Sequence, residues 1–167
     1  MGVWLGPRGG KPEPIALYTP GDTNVFTAVP FAVFGGTAKA PGVYYSDSSA
    51  TVAILNNIGS YNARSGLAVC GPVDLTKYKK IRISYTDATV VSGGGRYRTA
   101  RFYASTSANS YVEDRDTWVS IGDGSGNLEL DVSGLSGTHY VGIALSAAGS
   151  SSTVTTMNIT AITVTAD

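Results

Sequence analysis

The stretch Arg96-Tyr97-Arg98-Thr99-Ala100-Arg101-Phe102-Tyr103, followed by Tyr111 and Trp118, gathers residue types that recognise sugars. Flat aromatic rings stack on the C–H faces of a pyranose, and guanidinium groups donate to its hydroxyls. On an unbroken strand Tyr97, Arg101 and Tyr103 share a parity and stand on one face. With Tyr111 and Trp118 on nearby loops, these five residues would line a shallow groove, and they are the candidate ligand-binding set. The competing arrangement puts Phe102, Trp118 and some tyrosines into a core and leaves the arginines as a solvated or intersubunit face. Tyr44-Tyr45 and Tyr61-Asn62-Ala63-Arg64 make a second, weaker aromatic group.

Residues for bond-making chemistry are sparse. Nucleophilic catalysis by a Ser-His-Asp set has to use His139, the one imidazole, and no Gly-x-Ser-x-Gly elbow accompanies it. His139 sits in Gly137-Thr138-His139-Tyr140 and reads as a surface turn residue. Cys70 lies in the apolar run Leu67-Ala68-Val69-Cys70 and reads as a small buried hydrophobe. Glu113-Asp114-Arg115-Asp116 is the densest acidic cluster. A glycosidase needs two carboxylates about 5–10 Å apart across a cleft, which neighbours on one loop do not supply. That cluster reads as a solvated turn, and Asp123-Gly124-Ser125-Gly126-Asn127 reads as a hairpin turn rather than a calcium loop. The sequon Asn158-Ile159-Thr160 falls inside a predicted strand. No catalytic residue, metal site or cofactor is expected.

Composition narrows the classes further. The chain has 167 residues, enough for one domain with a sizeable core. Twelve basic side chains balance twelve acidic ones, and charged residues are only 14% of the total. That balance lacks the electrostatic footprint of nucleic-acid or anionic-membrane binding. A single cysteine excludes an internal disulfide framework. The N-terminus shows no signal-peptide pattern and no segment is apolar enough for a membrane helix, so synthesis in a cytoplasm without secretion is expected.

The elements that must hold the candidate residues are strands. Ile81-Arg82-Ile83-Ser84-Tyr85-Thr86 alternates apolar and polar, as does Leu128-Glu129-Leu130-Asp131-Val132. Val141-Gly142-Ile143-Ala144-Leu145 repeats the pattern with small residues on its second face, where another layer can approach closely. Ser92-Gly93-Gly94-Gly95, Gly122 to Asn127 and Ala148 to Ser152 separate such runs. Helical periodicity is absent throughout. An all-β, antiparallel jelly-roll β-sandwich over residues 23–167 is predicted, preceded by an extended N-terminal arm over 1–22. Ile15 to Tyr18 has the composition of a short strand within that arm. Val3, Trp4 and Leu5 are an apolar hook, either folded onto the domain or docking into a neighbouring subunit.

Two segments echo each other: Val73-Asp74-Leu75-Thr76-Lys77-Tyr78 and Leu130-Asp131-Val132-Ser133-Gly134-Leu135. In each an Asp is followed two residues later by Thr or Ser and then by an apolar residue (Tyr78, Leu135); the short polar side chains hold the backbone in a turn, and the apolar residue after them plugs the end of the sandwich. With the final strand Ile159-Thr160-Ala161-Ile162-Thr163-Val164, this pairing resembles the jelly-roll sandwiches of carbohydrate-binding modules. It also resembles the small structural and tail-associated proteins of tailed bacteriophages, over about residues 43–167. The run Val3 to Pro12 is similar to a Gly-Gly-Lys opening of phage virion proteins, departing from it in Pro12 after the lysine. The resemblance implies a non-enzymatic virion component, of tail, fibre or decoration type. Its implied partners are other virion proteins, further copies of itself (a trimer first) and a host-surface glycan. The alternative it implies is a carbohydrate-binding module of a glycosidase system.

Overall fold

The computed structural model describes residues 9–32, 36–56, 63–110, 117–149 and 152–167. The strands in chain order are β1 (Ile15–Tyr18), β2 (Thr27–Pro30), β3 (Thr37–Ala38), β4 (Gly42–Tyr45), β5 (Ala50–Asn56) and β6 (Arg64–Asp74). They continue as β7 (Lys80–Thr89), β8 (Arg96–Ser105), β9 (Thr117–Ser120), β10 (Gly124–Asp131), β11 (Thr138–Gly149) and β12 (Thr153–Thr165). No helix occurs among the described residues. One sheet runs β10-β7-β12-β5-β4, with β1 also on β12; the other runs β2-β6-β11-β8-β9, with β3 also on β6. From β5 onward the chain changes sheet at every step except the β8–β9 hairpin. Every pairing is antiparallel apart from β3 with β6. The expected two-layer jelly-roll sandwich is the fold.

The core lies between the two sheets. Ile81, Ile83 and Tyr85 of β7 face Phe102 of β8 and Val141, Ile143 and Leu145 of β11 across one continuous cluster. The alternation read from β7 and β11 therefore holds. Strand β12 would break it: Met157 and Ile159 are buried, and so are Ile162 and Val164, which have the opposite parity. A β-bulge between Ile159 and Ala161 absorbs the extra residue and returns the apolar side chains to the core. Another bulge falls in β6, where three steps from Cys70 to Val73 span two steps of β11. Pro72 sits in it, a position where the missing amide costs no ladder bond.

Two expectations change. The short strand expected at Ile15–Tyr18 is β1, with Ile15 opposite Val164 and Tyr18 fully buried, so this part of the segment read as an arm belongs to the sandwich. Residues just ahead of it are also tied to the domain: the Tyr78 hydroxyl donates to the Glu13 carbonyl at 3.1 Å, and Lys11 pairs with Asp167. The stretch from Gly124 to Asn127, read as a hairpin turn, is the first half of β10. Gly126 there lies opposite Tyr85, whose hydroxyl would come within 2.7 Å of a Cβ at position 126. The glycine makes room for a ring lying on the sheet rather than for a turn. Val3, Trp4 and Leu5 lie outside the described residues.

The echoing segments close one end of the sandwich as anticipated. The Asp74 carboxylate accepts from the Thr76 hydroxyl at 2.6 Å and the Thr76 amide at 2.9 Å, while that of Asp131 accepts from the Ser133 amide at 2.9 Å. Tyr78 and Leu135, the apolar residues expected to plug that end, are only partly buried against the core; Leu75 and Val132, between the Asp and the Thr or Ser, are the fully buried ones. The loops also bond across: the Gly137 amide donates to Thr76 Oγ1, and the Val132 amide to the Lys79 carbonyl. These bonds hold both carboxyls below the usual range, Asp74 chiefly through the Thr76 hydroxyl and Asp131 chiefly through Ser133. Asp123, which caps the end of β7 by accepting from the amides of Val90 and Val91, is lowered chiefly by the Val90 amide.

Each of these groups is more acidic folded than unfolded. Its contribution is therefore complete above the unfolded value near ~4 and is lost as pH falls through the lower folded value. The thermal midpoint is expected to be level from about pH 5 to pH 7 and to drop below about pH 4. The drop should be shallower in Asp74→Ala or Asp131→Ala, read by circular dichroism; a midpoint that rises on acidification contradicts the turn assignment.

Candidate functional site

The outward face of the β11 sheet carries the predicted residues. Tyr103 lies opposite Gly142 on β11 and opposite Trp118 on β9; Arg101 lies opposite Ala144 and Ser120; Tyr97 lies opposite Ala148. Register thus puts Tyr97, Arg101, Tyr103 and Trp118 on one face, with Phe102 turned into the core. Tyr111 lies outside the described residues.

Their surroundings differ from one another. Tyr103 is fully buried, so it is a foundation of the face and not a contact surface. It packs with Val29, Leu67, Val69 and Ala144, flanked by Phe31, Trp118 and Tyr140, as a second hydrophobic cluster on the outside of the sheet. Gly142 is the condition for this arrangement, because a Cβ there would come within 2.6 Å of the Tyr103 hydroxyl. Without a side chain below it, the ring lies down on β11. The Arg101 guanidinium carbon sits 3.8 Å from the centre of the Trp118 ring, a cation–π contact that ties β8 to β9 on this face. Tyr97, at 54% exposure, is the open ring of the set. It stands four residues from Arg101, roughly 13 Å along the strand. The hydroxyl side chains of Thr99 on β8, Ser120 on β9 and Ser146 on β11 share the same face by register.

The neighbouring arginine has another task. Arg98 Nε donates to the Val154 carbonyl at 2.7 Å and its Nη1 to the Val91 carbonyl at 3.4 Å, bracing β8 against the other sheet. Sequence reasoning missed the outer cluster under Tyr103. Its signal was present: Leu67-Ala68-Val69-Cys70 is apolar on both parities, the pattern of a strand covered on both sides.

The groups considered for catalysis are held apart. Cys70 is 2% exposed, and burial pushes its thiol up to about 12. Val141, not His139, lies opposite it. His139 is buried rather than at the surface, because β11 already begins at Thr138 and shares the inward parity of Val141. Its Nδ1 lies 3.1 Å from the Gly137 carbonyl. The cluster Glu113 to Asp116 lies outside the described residues. Among the described residues no three His, Cys, Asp or Glu side chains converge as a metal-ligating group, and no helix is long and apolar enough to cross a membrane. Asn158 of the sequon is engaged in the β12 sheet, its amide oxygen accepting from Thr51 Oγ1 at 2.6 Å and its nitrogen donating to Asp87 at 3.0 Å.

No protein-family model matches the chain, and no curated protein does. Among solved structures, the chain is similar to the glycoside hydrolase domain of Endo-D from Streptococcus pneumoniae R6, with a TM-score of 0.48 and 16% identity. The match covers 76% of this chain and 20% of that one, so the chain spans about a fifth of the solved protein's length. A likeness this slight carries nothing about function.

The burial of Cys70 has a direct consequence. Native protein at about pH 8 should leave a thiol-specific reagent unreacted, with one equivalent consumed only after unfolding. Rapid stoichiometric labelling of the native protein would contradict the placement of this side chain.

Proposed function

We propose that the protein is a non-catalytic binding module whose outer β11-sheet face takes a glycan. The observation that carries this reading is the row on β8 and β9: an exposed Tyr97 ring in line with an arginine seated over a tryptophan ring. An open aromatic face suits the apolar side of a pyranose, and a pre-oriented guanidinium has donors for hydroxyl or carboxylate oxygens. Because the sheet fixes both groups before the ligand arrives, little conformational freedom is lost on binding. The absence of turnover belongs to the same proposal. It is supported by the separation of Cys70 from His139 and by the raised thiol, which leaves almost no thiolate near neutral pH.

The setting we infer comes from the sequence resemblance. The module serves a bacteriophage particle, with Val3, Trp4 and Leu5 docking into other virion proteins or a further copy of the chain, first as a trimer. The same face would serve a carbohydrate-binding module attached to a glycosidase system. A glycan array followed by calorimetry on the best ligand tests the shared core of both settings. Tyr97→Ala should weaken binding roughly tenfold, about 1.4 kcal/mol, with an unchanged unfolding midpoint. An array without any binder, or a ligand indifferent to Tyr97→Ala, overturns the proposal.

A further inference from the structure

We propose a second ligand site on the opposite sheet, where Tyr44 and Lys39 take a sugar ring bearing a carboxylate. It is independent of the β11-sheet face. Tyr44 and Tyr45 are adjacent on β4 and point to opposite sides of the β12 sheet. Tyr45 turns inward and its hydroxyl accepts from the Phe26 amide at 2.8 Å. Tyr44 turns outward and is 66% exposed, well beyond Tyr97. Its ring lies down over Gly42, where a Cβ would come within 2.8 Å of the ring edge. The ring is thereby seated on backbone at one edge while two-thirds of the residue is left to solvent, which makes it available for stacking.

The ring forms one wall of a groove of about 360 Å³, lined also by Lys39, Pro41, Gly42, Ala53 and Leu55. That volume lies at the small-ligand end of binding clefts. Leu55 is 37% exposed and adds apolar surface for the C–H side of a ring. Lys39 is the charged side chain among the described lining residues, and its ammonium donates to the Leu55 carbonyl at 2.9 Å. An ammonium has three donors, so the groove keeps donors for an anionic oxygen beside the apolar platform. Strand β4 is also the outermost strand of its sheet, with main-chain groups on its free edge that suit sugar hydroxyls. An apolar ring face, a single positive charge and a polar edge together select a uronic-acid type of sugar over a neutral one.

The test is an amide-resolved NMR titration of the full chain with digalacturonate, and in parallel with an uncharged disaccharide. Saturable shifts are expected at the amides of residues 39, 40, 42–44 and 53–55 with digalacturonate. Tyr44→Ala should abolish them, and Lys39→Gln should weaken the affinity about tenfold and remove its salt dependence. The amides of residues 97–103 and 118–120 report the other face separately, so either site can fail alone. Four results overturn the proposal: no shift at the β4–β5 amides, shifts that survive Tyr44→Ala, equal binding of the uncharged disaccharide, or shifts that track protein concentration before ligand is added. The last would show a second copy of the chain in the groove.

Discussion

Tyr103 lying over Gly142 is the contact on which the outer face of the β11 sheet depends. The outer side of a sheet normally meets water, and a buried tyrosine there needs a partner without a Cβ directly opposite. Gly142 supplies that gap in the middle of β11, the central strand of its sheet. The ring then covers Leu67, Val69 and Ala144, which gives this sheet apolar packing on both faces. Arg101 and Trp118 sit beside the covered ring, Trp118 directly opposite Tyr103 and the guanidinium over the Trp118 ring. The same device recurs where Tyr85 lies on Gly126 inside the core and Tyr44 on Gly42 at the edge of the other sheet. Glycine at these positions is a packing residue, and the three rings differ only in what covers them.

The sandwich provides two outer faces of different character. On the β12 sheet, polar side chains pair across strands: Arg82 with Glu129, Ser84 with Asn127, and Thr51 with Asn158. These surface pairs, the last of them half-buried, add little stability individually, but they keep one sheet polar while the other is covered by aromatics. Among the described residues, each face nevertheless presents an open tyrosine together with a cation on the same face: Tyr97 with Arg101 further along the strand, and Tyr44 with Lys39 in one groove. Neither arrangement needs a moving part. The crossing loops at Asp74 and Asp131 fix the end of the sandwich through bonds to their own Thr76 and Ser133, so the register of β7, β10 and β11 is set locally as well as by the core.

Much of this was legible in the residues. Period-two alternation in β7 and β11 marks the inward set, and the parity of Tyr97, Arg101 and Tyr103 alone puts them on one face. The paired Asp-x-Thr and Asp-x-Ser segments were readable as turns because the hydrogen bonds involved are local. Exposure was not readable in the same way. Whether Tyr103 is a contact or a foundation depends on Gly142, Leu67 and Val69, which are distant in sequence and meet it only through register. His139 was misplaced because its neighbours Gly137 and Thr138 look like turn residues, while β11 starts one residue before it. The glycines from Gly124 to Gly126 misled for a related reason: a turn and a strand beneath a tyrosine ring call for the same residue.

The most direct measurement is the proton NMR signature of Gly142. A ring lying on this glycine shifts its α-protons strongly upfield and gives nuclear Overhauser contacts to the Tyr103 ring protons. The account predicts both, with the shift abolished in Tyr103→Leu while the strand pattern of the remaining amides persists. Gly142 α-protons at ordinary strand positions, without contacts to Tyr103, would show that the outer layer is built differently and that the proposed face lacks its support.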